Sequence, residues 1–97
     1  MKVIKSDGRY NYHSLGFTTI MEFRIKAISE RMNYIAVEKA LVKLYGPRNV
    51  EVGNNKFKPN ENYRTQLMSD RKRRRVYLKN ESDVSMLLLL TSGEQNG

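Results

Sequence analysis

The stretch Arg71-Lys72-Arg73-Arg74-Arg75-Val76-Tyr77-Leu78-Lys79 joins five consecutive cations to a short alternating segment. Adjacent like charges repel one another, so such a run needs solvent or an anionic partner around it. From Arg75 onward, Val76 and Leu78 alternate with polar or charged residues, which is the period of a half-buried strand. The sequence therefore predicts a strand that is anchored in the core and follows a basic turn.

The composition limits the chain to one small domain. Its 97 residues are 39% hydrophobic and 29% charged, which is typical of a globular chain. A chain of this length buries roughly 60–65% of its unfolded surface, enough for one modest core. We expect that domain to cover residues 1–91, with residues 92–97 as a flexible C-terminal tail.

The net charge of +8 favours a polyanionic partner, such as nucleic acid or an acidic protein face. The chain has no cysteine, which excludes disulfides and Cys-ligated zinc and favours a reducing compartment. The N-terminus lacks the apolar run of a signal peptide, and the longest apolar run, residues 86–90, is far shorter than the roughly 20 residues that span a bilayer. We expect a protein of the cytoplasm, or of the host cytoplasm if the chain is viral, without a membrane partner.

The N-terminal third predicts a hairpin followed by a strand. Residues 3–5 and 9–13 flank Ser6-Asp7-Gly8, in which the Asp-Gly step is a strong turn signal. In Thr18–Ile28, apolar residues alternate with charged ones. This period predicts a strand with one apolar face and one charged face open to water.

A helix is predicted next, with Ser29 as its N-terminal cap and Gly46 as its C-terminal cap. Apolar residues recur at helical spacing and form the predicted buried stripe. They are Tyr34, Val37, Ala40, Leu41 and Leu44.

The second half of the chain predicts short strands at residues 50–52, 56–58 and 75–79, and then a helix capped by Asn80. Residues 63–68 fit either a strand, by alternation, or a helix with Tyr63 and Leu67 on one face, and the strand is favoured. The buried face of that helix is predicted from its apolar spacing. It comprises Val84, Leu87, Leu88 and Thr91. Four successive leucines cover all sides of a helix, so Leu89 or Leu90 should be exposed or covered by another chain. A homodimer through this Leu-rich helix is therefore left open.

These elements predict an α+β fold, in which an antiparallel sheet of the N-terminal hairpin plus three to four strands packs against two helices. Residues 41–46 before 50–52, and residues 76–84, resemble a ferredoxin-like unit and in particular the RNA recognition motif. The resemblance covers residues 18–91 and implies inner strands with exposed aromatic residues that stack bases. The corresponding strand here offers only Tyr77, and the last strand of the family pattern is missing. The N-terminal hairpin is a candidate to fill that edge.

The chain is also similar to accessory proteins of tailed bacteriophages. It is short, basic and free of cysteine, and its Tyr-Leu-Lys strand leads into a small Leu-rich helix. This resemblance implies a protein that acts on nucleic acid or on a host protein.

The basic run is the candidate binding element. Arginine suits a phosphate backbone because its planar fork donates two hydrogen bonds to one phosphate. The other interpretations are a solvated turn between two strands and a contact for an acidic protein. The residues that we assign to nucleic-acid binding are Arg71, Lys72, Arg73, Arg74, Arg75, Tyr77, Lys79, Lys56, Lys58 and Arg64.

Three aromatic residues are candidates for stacking on bases, because one stacked base contributes roughly 1–3 kcal/mol. Large aromatic residues are usually buried, which favours Phe57 in the core and Tyr63 in a sheet face. Tyr77 is the better candidate, since the alternation turns it to the face opposite Val76 and Leu78.

His13 lies between Tyr12 and Ser14 and is the one residue that suggests acid–base chemistry. No partner acid is identifiable, which favours a surface histidine on the N-terminal hairpin. Scattered carboxylates such as Glu22 and Glu51 show no metal-ligand spacing. We predict a non-enzymatic protein with no catalytic residue, metal or other cofactor.

The leading hypothesis is a small regulatory protein that binds RNA or single-stranded DNA, since no recognition-helix motif for duplex DNA is visible. The alternative is a phage-type inhibitor or adaptor that docks on an acidic surface of a host protein, because a basic patch steers association with either partner.

Overall fold

The computed structural model describes the backbone of residues 1–96 and the side chains of residues 1–90. It contains two helices, a short 3-10 helix and six strands. In chain order they are β1 (Lys2–Lys5), the 3-10 helix (His13–Leu15), β2 (Thr19–Arg24), α1 (Ile28–Tyr45), β3 (Asn49–Gly53), β4 (Lys56–Pro59), β5 (Tyr63–Leu67), β6 (Arg73–Leu78) and α2 (Ser82–Asn96). The predicted α+β fold, an antiparallel sheet with two helices, is confirmed.

The main sheet has the strand order β1-β2-β6-β5, and every neighbouring pair is antiparallel. Strands β3 and β4 pair only with each other and form a separate two-stranded sheet. The strand that follows the basic run, β6, is therefore a central strand. It lies between β2 and β5 and takes hydrogen bonds from both sides.

The predicted N-terminal hairpin is wrong, because β1 pairs with β2 and not with residues 9–13. In this register Ile4 lies opposite Ile20, so both join one apolar row on the sheet. The Asp-Gly signal does mark a turn, in which the Tyr10 N–H donates to the Asp7 carbonyl at 3.0 Å. The chain then crosses one face of the sheet before it enters β2.

Both faces of the sheet are covered by apolar side chains. On one face, α1 and α2 pack over Met21 and Phe23 of β2 and over Val76 and Leu78 of β6. On the opposite, outer face, Ile20 and Tyr77 pack against Phe17, with Ile4, Tyr10 and Tyr12 around them. The expectation that the second face of β2 is open to water is therefore wrong, because β2 is buried from Thr19 to Phe23 and exposed only at Arg24.

Helix α1 follows Ala27, which is extended and makes no side-chain cap bond, so the predicted cap at Ser29 is wrong. The C-terminal cap is confirmed: Gly46 has φ 88°, and its N–H donates to the Val42 carbonyl at 2.9 Å. The predicted stripe is buried except for Leu44, which is 41% exposed at the last turn.

A buried asparagine holds the end of α1 against the loop between β4 and β5. Asn60 is 2% exposed, and its amide donates to the carbonyls of Tyr45 at 2.8 Å and Pro47 at 2.9 Å. The Tyr63 hydroxyl donates to the Gly46 carbonyl at 2.8 Å. These bonds satisfy carbonyls that the helix end leaves without partners, and they fix where β3 leaves the body of the fold.

Helix α2 begins at Ser82, two residues after the predicted cap, and Val84 and Leu87 are buried. Leu89 is 75% exposed and Leu90 is 43% exposed, which confirms the expectation for the leucine run, whereas Leu88 is 41% exposed and does not belong to the buried face. Side chains beyond residue 90, that of Thr91 included, lie outside the described residues. The predicted flexible tail at residues 92–97 thus stays a prediction, although the backbone of α2 continues to Asn96. Neither described helix combines the length and apolar character needed to cross a membrane.

Candidate nucleic-acid interface

Strand β6 begins at Arg73, two residues earlier than the alternation predicted, and this divides the basic run. Successive residues of a strand point to opposite faces of the sheet. Arg73 and Arg75 lie on the outer face with Tyr77, Arg74 lies on the helix face, and Arg71 and Lys72 lie in the preceding turn. The expectation that the basic run forms a turn before the strand is therefore wrong for Arg73 and Arg74, which belong to the strand itself.

Glu22 holds the two outer-face arginines. Its Oε2 accepts a hydrogen bond from Arg75 Nε at 2.8 Å and lies 3.5 Å from Arg73 Nη1, and the side chains of Glu22 and Arg75 are only 10% and 14% exposed. The Arg75 guanidinium also lies over the Tyr10 ring, 5.4 Å from its centroid. Burial acts to lower the pKa of Arg75, but the interactions with Glu22 and Tyr77 together outweigh it, so the pKa is raised. Arg75 is a charged structural residue of the sheet.

Arg74 is engaged on the helix face. Its guanidinium lies 5.2 Å from the centroid of the Tyr34 ring and donates to the Tyr34 hydroxyl at 3.2 Å. That hydroxyl in turn donates to a carboxylate oxygen of Glu38. Burial, followed by the bond to Glu38, raises the pKa of Tyr34. Arg74 thus joins β6 to α1 and is half-buried there.

The turn between β5 and β6 holds Arg71 and Lys72 exposed. Arg71 is in the left-handed region with φ 57°, and its N–H donates to the Met68 carbonyl at 2.9 Å. Asp70 accepts hydrogen bonds from the Lys72 N–H and from Arg73 Nε, both at 2.9 Å. The hydrogen bond from the Lys72 backbone N–H, together with the bond from the Arg73 side chain, lowers the pKa of Asp70. One carboxylate therefore organises a turn that presents two exposed cations.

The end of β2 brings further cations to this turn. Arg24 is the register partner of Arg73, and the Ile25 N–H donates to the Lys72 carbonyl at 3.0 Å. Five cations from two neighbouring segments thus meet at this turn. Three carboxylates lie beside them: Asp70 in the turn, and Glu22 and Glu30, which line a concavity with Arg24 and Arg73. We call the five cations the tip cluster: Arg24, Lys26, Arg71, Lys72 and Arg73. Sequence reasoning missed Arg24 and Lys26, because only the pairing of β2 with β6 brings them to the turn.

The other predicted basic residues lie at the opposite end of β6. Lys79 follows the last residue of the strand, so six residues, or roughly 20 Å at 3.3 Å per residue, separate it from Arg73. Lys58 forms an ion pair with Glu61 at 3.1 Å, and this bond, with weaker attraction from Lys79 and Arg64, lowers the pKa of Glu61. Lys58, Arg64 and Lys79 are thus close neighbours of one carboxylate.

Arg48 extends this second group, because it lines a concavity of about 310 Å³ together with Arg64 and Tyr12. The Arg64 guanidinium lies 5.7 Å from the centroid of the Tyr12 ring, and Arg48 donates to the Thr65 hydroxyl at 3.3 Å. We call the four cations of this end the root cluster, since they surround the base of the β3–β4 hairpin. They are Arg48, Lys58, Arg64 and Lys79.

The two sheet tyrosines do not offer a ring to a ligand. Tyr77 points to the outer face as expected, but it is fully buried because the Tyr12 ring lies 4.9 Å away across it. Its hydroxyl donates to Gln66 at 2.5 Å, and burial is the main cause of its raised pKa. Tyr63 is also fully buried, as predicted for a sheet-face residue. The expectation of an exposed Tyr77 beside the basic run is therefore wrong.

The favoured prediction that Phe57 lies in the core is also wrong, because its side chain is 63% exposed. It lies on β4, next to Lys56 and Lys58, and every residue of β3 and β4 is exposed except the half-buried Val50. The sequence gives a general preference for buried aromatics but does not show that this hairpin lacks a covering element.

His13 has a structural role. Its Nδ1 lies 3.1 Å from the Ser6 hydroxyl, so it ties the loop over the outer face to the end of β1. The nearest carboxylate in sequence, Asp7, instead binds Arg9, whose hydrogen bonds lower the pKa of Asp7 to about 2. Within the described residues, no group of three His, Cys, Asp or Glu side chains is placed to hold a metal ion.

Comparisons with protein-family models, with curated proteins and with solved structures find no match for this chain.

Proposed function

We propose that the protein binds single-stranded nucleic acid, RNA or DNA, through phosphates held at the tip cluster. The observation that carries this proposal is the meeting of Arg24 and Lys26 with Arg71–Arg73 at one turn, where all of these cations except the half-buried Arg73 are exposed. Five cations against the three carboxylates of Asp70, Glu22 and Glu30 leave two net positive charges in this region. Phosphate oxygens are suited to such a site, because arginine forks bind them with paired, charge-assisted hydrogen bonds.

The arrangement of the turn supports a fixed site. The side chain of Asp70 and the Met68 carbonyl fix the backbone of residues 70–72, so Arg71 and Lys72 start from a defined position. A preorganised site loses less conformational entropy when a ligand binds. The root cluster lies roughly 20 Å away, at the opposite end of β6, and offers a second contact to a strand long enough to reach both ends of the sheet.

Single strands fit the proposal better than duplex DNA. Helix α1 contacts the sheet along its buried side. Its exposed side mixes the cations Arg31, Lys39 and Lys43 with the large apolar residues Ile28, Met32 and Ile35, and the apolar residues interrupt any base-reading row. A strand with unstacked bases needs only a basic track and aromatic surfaces.

The test compares binding of a fluorescein-labelled single-stranded RNA, a DNA of the same sequence and its duplex. The informative variant is Arg71→Ser/Lys72→Ser, because both residues are exposed and their loss leaves the core intact. The matched control is Lys5→Ser/Lys39→Ser, which removes the same charge from exposed positions outside both clusters. We expect the tip variant to bind RNA at least tenfold more weakly than the control. Equal affinities for the two variants would refute the proposal.

A further inference from the structure

The β3–β4 hairpin is an unusual element because it is exposed on both faces. All nine of its strand residues are exposed except Val50, which is half-buried, and Val52 and Phe57 are 56% and 63% exposed. A two-stranded hairpin has little stability in water unless another surface covers it. Exposed large apolar side chains grouped on one element mark a contact site.

The charge of the hairpin and its base indicates the kind of partner. Lys56 and Lys58 flank Phe57 on β4, and Glu51 of β3 is the only acid within residues 49–59. The hairpin rises from the root cluster, where Lys58 meets Glu61 close to Arg64 and Lys79. An aromatic ring at the end of a basic track is the arrangement by which proteins bind single-stranded nucleic acid, with phosphates on the cations and bases on the ring.

The register places the ring on one face of the hairpin. Phe57 is paired with Glu51, whereas Lys58 is paired with Val50, so the two residues point to opposite faces. Lysine side chains are long enough to reach past the edge of a two-stranded ribbon while their stems stay on its surface. One face therefore offers a flat apolar ring, and the edge of β4 offers charges for the adjoining phosphates.

We infer that Phe57 stacks on an unpaired base of a single strand whose phosphates are held by Lys56, Lys58 and the root cluster. This inference rests on the proposed function and adds the contact that distinguishes single strands from duplexes. In a duplex the bases are stacked on each other, so the ring has no base face to cover.

The test uses Phe57→Ala, with Leu89→Ala as a control because Leu89 is also a well-exposed apolar residue, on α2. We expect Phe57→Ala to weaken binding of single-stranded RNA by about 5- to 150-fold, the usual loss for one stacking residue. The dependence of affinity on salt concentration should stay as in the parent, since no charge is removed. Binding by Leu89→Ala and duplex binding by Phe57→Ala should not change.

A second variant observes the stacking directly. The chain has no tryptophan, so Phe57→Trp places a single indole at this position. We expect its fluorescence to be quenched when unlabelled single-stranded RNA saturates the protein, while its affinity equals that of the parent.

Two results would overturn the inference. One is a parent-like affinity of Phe57→Ala for single strands, and the other is an unchanged indole emission at saturation. If Arg71→Ser/Lys72→Ser still loses binding in those cases, the proposed function stands without the Phe57 contact. If the parent does not bind nucleic acid at low salt, the proposed function fails and the inference with it. Capture of an acidic protein by the hairpin in place of RNA would count as such a failure.

Discussion

Arg24 of β2 and Arg73 of β6 are register partners, so two guanidinium-bearing residues face each other across neighbouring strands. Like charges directly opposite each other in a sheet destabilise it. Asp70 and Glu22 offset the charge of Arg73, with contacts of 2.9 and 3.5 Å, whereas Arg24 is exposed. An anionic ligand bound between the two arginines would remove the repulsion.

Replacing Arg24 should therefore stabilise the fold and at the same time weaken RNA binding. We expect Arg24→Thr to raise the free energy of unfolding by about 0.2–1 kcal/mol, the range for one cross-strand pair. The same variant should bind single-stranded RNA more weakly. Urea denaturation at low salt measures the first effect, and fluorescence anisotropy measures the second. A destabilised variant with parent-like binding would contradict both expectations.

Substitution of Glu22 should destabilise the fold strongly. The variant Glu22→Gln leaves Arg73 and Arg75 without their shared carboxylate on a mostly buried surface, and breaking such a pair costs roughly 3 kcal/mol. The measurement is the midpoint of denaturation by urea, compared with that of Arg71→Ser. The latter is exposed in a turn, and we expect a change within about 0.5 kcal/mol. Similar midpoints for the two variants would show that the outer-face ion pairs do not support the sheet.

Tyr77 should behave as a core residue and not as a ligand contact. We expect Tyr77→Ala to lower stability by about 3–5 kcal/mol, as for other large core residues, and Tyr77→Phe by about 0.5–1.5 kcal/mol through loss of the bond to Gln66. Thermal unfolding followed by circular dichroism gives both values. If Tyr77→Ala unfolds at the parent temperature, the loop of residues 6–17 does not cover the ring in solution.

Asn60 is expected to control the position of the β3–β4 hairpin. In Asn60→Ala the carbonyls of Tyr45 and Pro47 lose their donor, which costs roughly 1–3 kcal/mol for each group left buried and unsatisfied. Amide hydrogen exchange should accelerate first in residues 46–62. Faster exchange spread evenly over the whole sheet would instead indicate a general loss of stability.

The elements that the sequence predicts well are those with a local signal. The alternation of Val76 and Leu78, the helical spacing through α1 and the Gly46 cap each depend on residues close in the chain. The antiparallel sheet packed on two helices follows from these elements and is confirmed.

The candidate site was less predictable because it depends on pairing between distant strands. Glu22 lies 51 residues from Arg73, and no local pattern joins them. The alternation predicts a start of β6 two residues late, because three consecutive arginines lack an apolar face. In the fold, Glu22 and Tyr34 supply the partners of Arg75 and Arg74. The covering of Tyr77 likewise depends on residues 6–17, which resembled a hairpin of their own.

The salt dependence of binding tests the central claim most directly. Each phosphate contact on a single strand contributes a slope of about −0.7 to the plot of log affinity against log salt concentration. We predict that Arg71→Ser/Lys72→Ser lowers the magnitude of this slope by about 1.4, for two lost contacts, while Lys5→Ser/Lys39→Ser keeps the parent slope. Equal slopes for the parent and the tip variant would show that the tip cluster does not hold phosphates.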